Sequence, residues 1–104
     1  MKINFHIEDG KITEENRVLM EEKLNKLKRF MKIEPLIIDL YITDEADKAN
    51  DGGVDHSVRL SAQFGKEQIF IEKVDSEVMR AFAHCYKKME IALEKYHEKM
   101  VDWK

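Results

Sequence analysis

Three sets of residues have side chains that could do chemistry. The first is a thiol beside an imidazole, Cys85 directly after His84. Such a pair acts as nucleophile and base only where the two groups converge, and neighbouring residues on a helix diverge by about 100°. Cys85 falls on the apolar arc of its helix, where a thiol packs and stays inert. The second set is metal-ligand chemistry. His6, His56, His84 and His97 lie on separate segments without paired ligand spacing, so no zinc site is expected. Asp44, Glu45, Asp47 and Asp51 crowd carboxylates together, but at offsets unlike a calcium loop, and read as a solvated stretch. No Gly-rich phosphate loop, nucleophile elbow or Walker lysine is present, and neither an enzyme nor a cofactor is expected.

The third set is cationic. On a wheel of about 100° per residue, His84, Lys88, Ile91, Lys95 and Lys99 form one stripe, expected along an edge of the apolar face. Glu90, Glu94 and Glu98 are expected on the outer back. Lysine is a compact point charge that suits phosphate, although lysines beside an apolar face ordinarily just solvate it with their stems over the core edge.

The element that carries the stripe is legible. From Ser76 to Met100, Phe82, Cys85, Tyr86, Met89, Leu93, Tyr96 and Met100 follow the i, i+3, i+4, i+7 recurrence of a helix burying one face, uninterrupted by Gly or Pro. A helix of that length runs about 37 Å, against about 23 Å for a seven-residue strand. Its end should overhang. Tyr96 is expected to seal the core edge there; Met100 and Trp103 extend the apolar end, which could seal the core edge, meet a second protomer or stack on bases.

Composition bounds the partners. The chain has 104 residues, 38% of them charged, and a net charge of −3. That length gives a single domain over residues 1–104 with one modest core. A slightly acidic whole offers no general attraction to polyanions, so any such binding must come from a local patch. One cysteine cannot form an intrachain disulfide and suits a reducing compartment; with no signal-like or membrane-spanning run, a cytoplasmic protein without membrane contact is expected.

Ahead of that helix, Ile3, Phe5 and Ile7 alternate with polar residues as a first strand ended by Asp9-Gly10. Thr13 stands as N-cap of a first helix, with Glu14 and Glu15 in its first turn and Met20, Leu24, Leu27 and Met31 as its apolar stripe up to Pro35. Leu36–Thr43 alternates as a second strand, with Leu36, Ile38, Leu40 and Ile42 on one side and Ile37 and Tyr41 on the other. A polar loop over Asp44–Gly53 follows. Val58, Leu60, Ala62 and Phe64 mark a third strand, Gly65-Lys66-Glu67 a turn, and Gln68–Val74 a fourth strand, hence a hairpin. Asp75 and Ser76 should cap the long helix, leaving Val101–Lys104 as a tail. The predicted fold is α+β, order β-α-β-β-β-α: a four-stranded mixed sheet with both helices packed on one face, and the other face left to solvent or a partner.

Within this order, Ile12-Thr13-Glu14, Arg17, Lys23-Leu24-Asn25-Lys26-Leu27 and Phe30, with Lys88-Met89, Leu93 and Lys95 later, resemble the ribosome hibernation-promoting factor family. This family is also called sigma modulation protein or ribosome-associated inhibitor, and the resemblance is to its short form. It spans essentially the whole chain. It implies a domain shaped like double-stranded RNA-binding domains, seated on the small ribosomal subunit and its rRNA in the channel for messenger and transfer RNA. It implies rRNA contacts at Lys23, Lys26, Lys88, Lys95 and Lys99, with His84, Arg29 and Trp103 as further candidates for RNA or partner contact. No DNA partner is expected, a weak homodimer stays open, and the chain ends before the separate dimerisation domain of longer members; the alternative is a divergent member of the fold that acts as a protein-interaction or dimerisation module without RNA binding. Three places depart from the family pattern: Ile91-Ala92 where a basic residue and glutamine are usual, His97 where a lysine is common, and Glu77-Val78-Met79 at the helix start.

Overall fold

The computed structural model describes residues 2–8, 12–30, 36–44 and 56–102, without the side chains of 30, 44 and 97–102. The expected Asp9-Gly10 turn, the Met31 and Pro35 end of the first helix, the acidic loop beyond Asp44, Trp103 and the side chains of His97, Lys99 and Met100 lie outside the described residues.

The elements are β1 (Lys2–Ile7), α1 (Glu14–Asn25), a 3₁₀ segment (Lys26–Phe30), β2 (Ile37–Asp44), β3 (His56–Phe64), β4 (Glu67–Asp75) and α2 (Val78–Asp102). The strands form one sheet in the order β1-β2-β3-β4. β1 runs parallel to β2, as a helical crossover requires, and β2, β3 and β4 are successively antiparallel. The α+β expectation, order and one-sided helix layer included, is what the chain adopts.

Strand alternation sets the core. Ile38, Leu40 and Ile42 of β2 lie opposite Ala62, Leu60 and Val58 of β3, and all six are fully buried under the helices. Ile3, Phe5 and Ile7 continue this layer on β1, half-buried, and Ile69 and Ile71 on β4. From above, Met20 and Leu24 of α1, Leu27 of the 3₁₀ segment and Phe82, Met89 and Leu93 of α2 close it. The opposite face is mostly polar and largely bonded to itself, with Phe70 and Val74 exposed on it. Asn4 donates to Asp39 at 3.1 Å, His6 lies 3.0 Å from the same carboxylate, Arg59 and Ser57 both donate to Glu72, and Gln68 donates to Ser61.

Local chemistry explains the boundaries. The Thr13 hydroxyl accepts the Asn16 N–H at 3.1 Å, the N-cap bond expected at the start of α1. The α-helix does not run on through Leu27, however. It tightens at Lys26, and a 3₁₀ turn carries Leu27 into the core. β3 and β4 pair at Phe64 and Glu67 across Gly65-Lys66, and Gly65 takes φ 58, the region glycine enters at no steric cost. α2 begins two residues later than expected. Asp75 still belongs to β4, and its carboxylate takes the Glu77 N–H at 3.0 Å and a two-pronged bond from Arg80, so the first helical bond is Ala81 N–H to Glu77 C=O. At its other end α2 includes Val101 and Asp102, which the sequence suggested were tail.

Candidate nucleic-acid interface

The long helix has two flanks with different neighbours. Tyr86 is half-buried and faces α1, whose Lys23 places its ammonium 5.6 Å from the ring centroid. Glu90 follows Tyr86 by four residues and so shares its side of the helix. It is not on the outer back as expected. It accepts a 2.7 Å bond from Arg29 of the 3₁₀ segment and is half-buried against it. The Tyr86–Glu90 flank is therefore the one that meets α1 and the 3₁₀ segment.

The opposite flank stands over β4. Tyr96 donates its hydroxyl to Glu67 at 3.1 Å and sets its ring edge-on to Phe64, which makes it the seal expected at the core edge. Cys85 is fully buried, its thiol 3.4 Å from the Val58 carbonyl. Burial pushes that thiol up to about 11, so it stays protonated, while His84 beside it is exposed. The adjacent thiol and imidazole do not converge.

Lys88 and Lys95 lie about 200° and 180° around α2 from Tyr86. They are exposed with Ile91, which is 46% exposed, and neither makes an ion pair among the described residues. The stripe thus borders the buried arc on the flank away from α1, the edge where the sequence suggested it, with its lysines exposed. The first-helix cations are elsewhere. Lys23 leans on Tyr86, Lys26 is exposed at the end of α1 where its charge also suits the negative pole of the helix, and Arg29 is engaged by Glu90. The predicted residues therefore form two groups, Lys23 with Lys26 on one side of α2 and Lys88 with Lys95 on the other. They do not merge into one stripe.

Between α1 and α2 runs a groove of about 390 Å³, lined by Leu19, Lys23, Phe82, Tyr86, Lys87 and Glu90. Lys87 was passed over in the sequence because it lies outside the periodic stripe; only the packing of α1 brings it beside Lys23. No group of three or more histidine, cysteine or carboxylate side chains poised for a metal ion occurs among the described residues. Among them, too, no helix is long and apolar enough to cross a membrane.

An open-faced mixed sheet with two helices on one side, in the order β-α-β-β-β-α, defines an α+β domain of the ribosome hibernation factor type. The chain belongs to the Sigma 54 modulation protein / S30EA ribosomal protein family, whose model matches residues 3–101, a family of ribosome-associated factors. Among solved structures it is similar to the Protein Y N-terminal domain of Thermus thermophilus, with a TM-score of 0.72 and 18% identity over 92% of this chain and 99% of that one. It is likewise similar to a ribosomal subunit interface protein from Coxiella burnetii, with a TM-score of 0.66 and 18% identity over 92% and 97% of the two chains. These likenesses concern the fold. No curated protein matches the chain.

Proposed function

We propose that this protein is a cytoplasmic hibernation factor that binds the small ribosomal subunit and blocks the channel for messenger and transfer RNA. The observation that carries the reading is that Lys88 and Lys95 are exposed and make no ion pair among the described residues, on a chain of this family. Their ammonium groups are free to meet phosphate, whereas Arg29, Arg59 and Arg80 already hold carboxylates. A domain lodged in a channel meets RNA on more than one side, which suits two lysine groups on opposite flanks of α2. The mechanism is steric and electrostatic: a rigid sheet positions the lysines and no bond is made or broken. Lys99, on the same helix, belongs to the Lys88 group by its spacing.

Co-sedimentation with ribosomes and separated subunits at two salt concentrations tests the reading. Binding should follow the small subunit and weaken with salt. The double substitution Lys88→Ala/Lys95→Ala should reduce binding and flatten its log–log salt slope by about 1.5, two phosphate contacts' worth. Ile91→Arg, on the same exposed side, should tighten it. If the double variant binds as well as the parent, the interface lies elsewhere; binding to the large subunit alone would overturn the reading itself.

A further inference from the structure

Among the described residues β4 ends the sheet, with β3 its one neighbour. Phe64 and Glu67 close a two-residue turn, so that pair and every second pair beyond it exchange backbone bonds across the hairpin. The intervening residues Gln68, Phe70, Glu72 and Val74 therefore turn their N–H and C=O groups outward, away from β3. Their side chains stand on the open face, where Phe70 is 57% and Val74 43% exposed. An unpaired edge of this length carrying apolar side chains is a template for a further strand.

We propose that β4 pairs with β4 of a second copy, antiparallel about a two-fold axis at Phe70, so that two sheets become one. The side chains choose both occupant and register. Centred on Phe70, the pairing sets Phe70 against Phe70, Ile69 against Ile71, Gln68 against Glu72 and Lys73 against Glu67 of the second copy. The Lys73–Glu67 pairs have opposite charge and recur on both sides of the axis. Shifting the centre to Ile71 puts Phe70 opposite Glu72 and Glu67 opposite Asp75; shifting it to Glu72 sets two glutamates face to face. Like charges directly opposite one another oppose pairing, so the Phe70 register is favoured over both of these shifts. Lys73, half-buried on the helix-covered face, is the kind of inward charge that blocks an indiscriminate strand. Here it is answered by Glu67, which the Tyr96 hydroxyl already holds on that face at 3.1 Å.

Backbone geometry supplies a selective test. Phe70→Pro removes an outward N–H while leaving the β3 ladder intact. Sedimentation equilibrium without ribosomes, at moderate salt so that the exposed lysines of the two α2 helices are screened, should show the parent's apparent mass doubling with concentration. Phe70→Pro, with an unchanged circular dichroism spectrum, should stay monomeric. Phe70→Cys should cross-link to itself under mild oxidation and Glu72→Cys should not; the native Cys85 is buried and does not compete. A parent that stays monomeric up to millimolar concentration overturns the proposal, as does undiminished doubling in Phe70→Pro or cross-linking at position 72 in preference to 70. Should Phe70→Pro fail to fold, the cysteine pair decides alone. Because no ribosome is present, failure here leaves the ribosome-binding reading untouched.

Discussion

Single side chains in this protein divide into those committed inside the fold and those left for a partner. Cys85 is committed. It is fully buried, its thiol is directed at the Val58 carbonyl, and desolvation, helped by Glu72 and only partly opposed by Lys73, raises its pKa from 9.0 to about 11. Thiol reagents should leave it untouched in the native protein near pH 8 and label it on unfolding; rapid native labelling would contradict the placement. The linkage has a definite sign. The native thiol keeps its proton where the unfolded one has lost it, so stability is intact below pH 9 and falls between about 9 and 11, with a slope of at most about 1.4 kcal/mol per pH unit from this group. Urea titrations across that range check it against Cys85→Ala, which lacks the thiol. Arg29 is committed too, to Glu90, whereas Lys88 and Lys95 have no such partner among the described residues. That contrast separates the candidate contact residues more sharply than their equal formal charge does.

At the scale of elements, what the sequence made legible was what period and capping chemistry dictate. Ile38, Leu40 and Ile42 alternate because one face of β2 is buried, and a one-residue slip would expose all three. Thr13 announced its helix because its hydroxyl has a specific N–H to satisfy. The 3₁₀ turn at Lys26 was not legible, since Leu24 and Leu27 are three apart and that spacing fits either kind of helix. Nor was the arrangement of the lysines. A wheel gives angles around one helix but not which neighbour stands at each angle, so Glu90 was misplaced until the 3₁₀ segment brought Arg29 against it. The β3–β4 hairpin offers a test of local necessity. Gly65 sits at φ 58, and Gly65→Ala should cost about 1 kcal/mol by forcing a Cβ into the left-handed region. A urea midpoint that falls with an unchanged m value is the expected result; an unshifted midpoint would mean that the turn relaxes at no cost.

For the whole molecule, a net charge of −3 makes location matter more than quantity, because an acidic chain can engage a polyanion only where its cations are uncovered. Topology also imposes an order in time. β3 and β4 meet across two residues, whereas β1 finds β2 only after a separation of 35, from Lys2 to Ile37. Closing the long segment costs more chain entropy before any contact is gained. Among the described residues β1 also has one neighbour, and its apolar residues Ile3, Phe5 and Ile7 are only half-buried. The hairpin with α2 should therefore consolidate first and β1 dock last; in the native state β1 should come away first. Native-state hydrogen exchange would show this as β1 amides opening at lower free energy than those of β3, and equal protection in the two strands would argue for a single all-or-none unit. The strand that comes first in this domain would then be the last to find its place, holding the sheet one strand short until the rest of the domain exists to receive it.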